Sequence, residues 1–155
     1  MKLRFPHRAK GPNLGHMLAA VPLLVLPVAA YAVLALILAG GPNSTDAHAR
    51  LTQALFSFNT ASGGVWPVSA ADLLLAATLI IAFIELLKGM SDRRVIIANH
   101  ALSIVLFVAC LTAMLLAPAF ATSTFFLITL MVLLDLVASF VATMGQVKSF
   151  RPSRK

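Results

Sequence analysis

Acidic side chains are scarce in this chain: 5 aspartates and glutamates among 155 residues, with 11% charged residues in all. A soluble domain of this length needs a polar surface over most of its outside, and so few charges, gathered at a few places, do not supply one. A soluble enzyme domain is thereby excluded. Cysteine occurs once, as Cys110, which excludes a disulfide scaffold. Glycine and proline number 8 each, too few for a disordered or collagen-like chain. What fills the chain instead is apolar: 60% of residues are hydrophobic and the mean hydropathy is +0.95, the composition of a membrane protein.

A helix rising about 1.5 Å per residue needs about 20 apolar residues to cross a hydrocarbon core of about 30 Å. Four runs meet that length, at 17–39, 70–87, 95–117 and 124–144. The expected fold class is therefore an all-α membrane protein with four transmembrane helices in a domain at 17–145, between basic tails at 1–16 and 146–155. All 8 glycines fall outside the four runs, where glycine ends helices without breaking them. Pro22 and Pro27 fall inside the first run and are expected to kink it. The basic start, the apolar stretch and the Ala30-Tyr31-Ala32 triplet are also the parts of a cleaved signal peptide. The apolar stretch continues through Val33-Leu34-Ala35-Leu36-Ile37-Leu38, longer than a signal needs, so a retained first span is expected.

Lysine and arginine set the orientation, because cytoplasmic flanks retain an excess of them. Lys2, Arg4, Arg8 and Lys10 precede the first run, Lys88, Arg93 and Arg94 separate the second from the third, and Lys148, Arg151, Arg154 and Lys155 follow the fourth. Arg50 alone falls elsewhere. The expected protein is a multi-pass component of a bacterial inner membrane, with both termini cytoplasmic and the 40–69 loop on the periplasmic side. The net charge of +7 and pI near 10.6 then need no nucleic acid to explain them. Arg4, Arg8, Lys10, Arg93, Arg94, Lys148 and Arg151 are expected to contact anionic lipid.

The outer loop is too long for a turn. Ser44-Thr45-Asp46 offers capping residues before a stretch at 47–58 in which Leu51, Leu55 and Phe58 share one helical face. That spacing predicts a short amphipathic periplasmic helix, lying on the membrane, docked on a partner, or simply covering the bundle. Trp66 is expected to anchor the entry to the second span. Ser69-Ala70-Ala71-Asp72 has the spacing of a capping box with Asp in the reciprocal position, which makes Asp72 a cap.

A charge at the bilayer centre costs about 2.5 to 3.5 kcal/mol on insertion scales, so polar groups inside the runs are the most informative residues. Asp135 lies near the middle of the fourth run, on one helical seam with Thr124, Ile128, Met131, Ser139, Ala142 and Gln146. Neutral, it donates a hydrogen bond; ionised, it requires a cationic or amide partner. Glu85 lies about one turn from the end of the second run, and the basic turn returns Asn99 and His100 at nearly the same depth. A Glu85 contact with His100 or Asn99 is expected, with Lys88 a competing partner. Asp135, Glu85, His100, Asn99 and Ser139 thus form the candidate site, either as helix clasps or as proton-handling groups. Asn99, Ser103, Leu106, Cys110, Ala113 and Ala117 form a small face of the third run. Ala109, Ala113 and Ala117 repeat at the four-residue spacing of helix contacts in lipid. Cys110 reads as a small buried packing residue.

Reaction chemistry is sparse. The sequence carries no glycine-rich phosphate loop, zinc-ligand cluster or nucleophile elbow. Of the histidines only His100 is clearly intramembrane, so a bis-histidine haem would have to recruit His16, and a haem is not expected. No metal and no cofactor other than bound lipid is expected.

From Phe83 onward, the segments Phe83-Ile84-Glu85-Leu86-Leu87-Lys88, Asn99-His100-Ala101-Leu102-Ser103 and Thr122-Ser123-Thr124-Phe125-Phe126-Leu127-Ile128-Thr129-Leu130 resemble small four-span inner-membrane proteins of bacteria. The resemblance covers about the last half of the chain and implies location and topology only. The function expected is that of a non-catalytic accessory or scaffolding subunit, partnered by lipid and by other membrane subunits or copies of itself. The alternative is a small oligomeric proton- or cation-handling transporter or channel using Asp135 and Glu85, and a lesser one is a haem-binding membrane protein.

Overall fold

A computed structural model describes residues 22–88 and 93–148, with the side chains of 22–38, 40–87, 99–141 and 144. The start of the first expected span (17–21), most of both basic tails, and the residues Arg4, Arg8, Lys10, His16 and Arg151 lie outside the described residues. So do the side chains of Lys88, Arg93, Arg94, Ala142, Gln146 and Lys148.

In chain order the described elements are α1 (Val25–Ala39), α2 (Ala47–Leu51), β1 (Ala54–Asn59), β2 (Val65–Ser69), α3 (Ala70–Lys88), α4 (Arg93–Leu116), a 3-10 turn (Pro118–Phe120) and α5 (Ser123–Lys148). Three of the helices carry stretches long and apolar enough to cross a membrane: Ala70–Leu87, Asn99–Leu116 and Ser123–Val141. The fourth, α1, is apolar but shorter. The second, third and fourth apolar runs therefore fall on helices whose ends lie within about a turn of those expected.

Pro27 does not interrupt α1. It is the third residue of the helix, in the first turn, where its missing N–H removes no ladder bond and its fixed φ suits the helix. Residues Pro22 to Leu24 form a turn ahead of it, with the Val25 N–H donating to the Pro22 carbonyl at 3.1 Å. Gly40, left-handed at φ 77°, closes the other end.

The 40–69 loop departs from the all-α expectation. Its helix, α2, ends at Leu51, where Thr52 turns its hydroxyl back onto the His48 carbonyl at 2.8 Å. Leu55 and Phe58 consequently lie on β1 and do not share a helical face with Leu51; Trp66 lies on β2. The two strands form an antiparallel hairpin with Phe56 opposite Val68 and Phe58 opposite Trp66. The physical reason is local. Phe56 and Phe58, like Trp66 and Val68, alternate at the period of a strand, and aromatic and β-branched side chains suit that surface. Gly63, at φ 82°, takes the left-handed turn between them. The hairpin passes into α3 without an intervening residue. There the capping box forms as spaced: the Ser69 N–H and hydroxyl donate to Asp72 Oδ2 at 2.9 and 2.6 Å, and the Asp72 N–H donates to Ser69 Oγ at 3.2 Å.

The long helices are organised around α5, which packs against both α4 and α3; those two meet mainly through it. The apolar core gathers where α1, α2 and the 3-10 turn cover the start of α5, around Tyr31, Ala35, Leu51, Ala119, Phe125 and Ile128. Tyr31 is its centre. Its ring lies 4.8 Å from that of Phe125 and 5.8 Å from that of Phe120, centroid to centroid. Its hydroxyl donates to the Ala119 carbonyl at 3.0 Å and pairs with the Thr122 hydroxyl. With the tyrosine proton committed to the carbonyl, Thr122 is the donor to Tyr31, and its own oxygen still accepts the Phe125 N–H that opens α5. Outside this core the large apolar side chains of the helices, such as Ile37, Leu79, Phe83, Val105, Leu115 and Leu134, point outward.

Candidate functional site

Away from the aromatic core, the bundle holds a second interior region built from polar side chains. Asp135, 4% exposed, and Glu85, 2% exposed, are both buried in apolar helices, which requires each carboxyl to be met by donors.

Asp135 projects from the central helix toward α4. There the Ser103 hydroxyl, itself fully buried, donates to Asp135 Oδ2 at 2.9 Å. The bond joins α4 to α5 from near the middle of each helix. Asp135 also lines a groove of about 150 Å³ between α3 and α5, whose other walls are Leu79, Ala82, Phe83, Leu86, Met131 and Leu134. One carboxyl thus stands between a hydroxyl donor on one side and an almost wholly apolar groove on the other. Ser139, one turn further along α5, is half-buried.

Glu85 is turned toward α1. Its Oε2 accepts the backbone N–H of Leu23 at 2.8 Å, in the turn that opens that helix. The first N–H groups of a helix have no intrahelical acceptor and carry the positive end of its dipole, so an acidic side chain from a neighbouring helix is a fitting cap. Leu23 stands just ahead of the N-cap residue Leu24, so a side chain 62 residues away in sequence holds the entry to the helix.

Asn99 is buried and His100 is half-buried, with its ring stacked on Phe140 at 6.1 Å and 29°. Among the described residues, Asn99 Oδ1 and His100 Nδ1 accept no hydrogen bond. Glu85 is met by backbone at the start of α1, a relationship with no local trace in sequence; the side chain of Lys88, its expected competing partner, lies outside the described residues.

The inward stripe of α4 runs through Asn99, Ser103 and Cys110, with Ala113 partly buried against the apolar core. Ala109, on the same four-residue repeat as Ala113 and Ala117, is exposed, and Ala117 is half-buried in the turn before Pro118. The contacts that α4 makes within the chain are thus carried by the stripe of Ser103 and Cys110, and Ala109 faces away from it. Leu51 is fully buried in the core, whereas Leu55, Phe58 and Trp66 are exposed on the hairpin.

Two residues escaped the sequence reading. Tyr31, the single tyrosine, joins α1 to the connection between α4 and α5. A lone phenol in a long apolar run was the available signal, since a buried hydroxyl needs a partner. Thr122 was the other, legible only as a capping hydroxyl ahead of α5.

Among the described residues no three of His, Cys, Asp and Glu come together as a metal site would require. The chemical capacity of the region is that of hydrogen bonding between helices, with one carboxyl bordering an apolar groove. No protein-family model matches the chain, and no curated protein and no solved structure shows significant similarity to it.

Proposed function

We propose that the protein is a non-catalytic accessory or scaffolding subunit of a larger complex in the inner membrane of a bacterium. In this reading it has four spans, both termini in the cytoplasm and the hairpin on the periplasmic side. It binds no haem and acts through helix packing and its lipid-facing surface. The observation that carries the reading is the use made of the intramembrane polar groups. Ser103 with Asp135 ties one long helix to another, Glu85 ties α3 to the turn ahead of α1, and Tyr31 ties α1 to the connection between α4 and α5. Such bonds hold a small bundle in one arrangement. The apolar side chains of α3, α4 and α5 are meanwhile left outward, for lipid or for other helices.

Isolation from native membranes in mild detergent, followed by native mass measurement, tests the proposal. A heteromeric assembly of fixed stoichiometry is expected, weakened by Ala109→Phe on the exposed side of α4. A homo-oligomer with no other subunit would overturn it.

That second outcome favours a proton- or cation-handling oligomer, the reading supported by the groove beside Asp135. Its test is flux in vesicles: Asp135→Asn abolishes transport while assembly survives.

A further inference from the structure

We infer that the β1–β2 hairpin rests on the lipid bilayer, with its aromatic face in the boundary between headgroups and acyl chains. Three observations converge on this. The first is the pattern of the hairpin's register. Phe56 and Phe58 project from one face of β1, and Phe58 stands opposite Trp66, so three aromatic rings share a side of the sheet. The rings touch in sequence, with centroids 5.3 Å apart between Phe56 and Phe58 and 6.5 Å between Phe58 and Trp66. They are nonetheless 44%, 55% and 61% exposed.

The second is stability. An isolated two-stranded hairpin is marginal in water and needs a surface against one face. Here β1 is exposed along its whole length and β2 is buried only where it approaches α3. Val68, opposite Phe56, is covered by the protein's own body, which supplies a surface at that end of the face only and leaves the three rings open.

The third is position and charge. Because β2 runs directly into α3, a helix long and apolar enough to cross a membrane, the sheet sits where that helix leaves the bilayer. Residues 54–69 contain no charged side chain. An uncharged sheet with an indole and two phenyl rings on one side matches the chemistry of the interfacial zone, where the amphipathic indole is favoured at headgroup level and phenyl rings reach the acyl boundary. The occupant of the aromatic face is therefore the same bilayer that α3 enters. The inference holds for either functional reading.

Trp66 is the only tryptophan in the chain, so its fluorescence reports on this face alone. The full-length protein is reconstituted in phosphatidylcholine vesicles, with lipids brominated either near the headgroup end of the chains or near their tips. The expected result is blue-shifted emission, quenched more strongly by the shallow bromines than by the deep ones, with aqueous iodide having little effect. Phe56→Ser with Phe58→Ser is expected to shift the emission to the red and weaken the lipid quenching. Quenching by iodide alone would overturn the proposal by placing the hairpin in water. Protection from both iodide and bromines would overturn it by placing a protein surface, such as a second copy, over the rings. Strongest quenching by the deep bromines would overturn it by placing Trp66 in the hydrocarbon core.

Discussion

Glu85 and Leu23 are 62 residues apart in sequence and 2.8 Å apart in space, the Glu85 carboxylate accepting the Leu23 N–H where α1 begins. The bond fixes the end of one helix against the flank of another. A side chain too short to reach leaves a part-buried backbone donor without this acceptor, a loss of about 1 kcal/mol. Glu85→Ala is therefore expected to lower stability in detergent by that amount, whereas Glu85→Gln, which keeps an acceptor oxygen in reach, loses less than half as much. Reversible unfolding in mixed micelles measures both; equal losses for the two variants would show that the acceptor is not what matters.

The Ser103 to Asp135 bond invites a double-mutant cycle. Hydrogen bonds between helices in a membrane contribute about 0.5 to 2 kcal/mol each. Ser103→Ala and Asp135→Ala are each expected to destabilise the bundle. Combined, they should cost less than the sum, because the second change removes a partner already lost. Strict additivity in the same unfolding assay would mean that the two residues are not coupled.

The long helices were legible in the sequence because nothing competes with an apolar run of their length, and the capping box at Ser69 and Asp72 was legible because its two residues are neighbours. The hairpin was not. Leu51, Leu55 and Phe58 fit the period of a helix, while Phe56 and Phe58 fit that of a strand, and the two patterns overlap in the same residues. Gly63 and Gly64 were the turn signal that decides between them. Pro27 misled for a related reason: a proline breaks a helix only in its interior, and the helix start was invisible while the whole run was read as apolar. At the site, the burial of Asp135 and Glu85 followed from their place in apolar runs. The bonds to Ser103 and to the Leu23 backbone did not, because these residues reach them across 32 and 62 positions of the chain.

Tyr31 supplies a third test, in the apolar core. Tyr31→Phe keeps the ring contacts with Phe120 and Phe125 but removes the proton donated to the Ala119 carbonyl and the oxygen that accepts from Thr122. A loss of about 1 to 2 kcal/mol is expected. Tyr31→Ala also empties the volume of the ring, and a loss of about 3 to 5 kcal/mol is expected. Thermal unfolding of the two variants separates the hydroxyl from the ring; a Tyr31→Phe protein as stable as the parent would reduce Tyr31 to a packing residue.

Ser69 occupies the junction at which β2 becomes α3, so its cap acts on two elements at once. Removing the hydroxyl leaves the Asp72 N–H without its acceptor and takes one of the two donors from the Asp72 carboxylate. Loss of a helix cap costs about 1 kcal/mol. A larger local effect is expected in exchange kinetics, because within the protein the hairpin is held by little beyond its attachment to α3 and the burial of Val68. Hydrogen exchange in Ser69→Ala should accelerate at residues 70–73 and along β2, with α5 unchanged. Ser69→Thr, which retains the hydroxyl, should restore protection at both places. Acceleration confined to the helix would show instead that the hairpin is held independently of the cap.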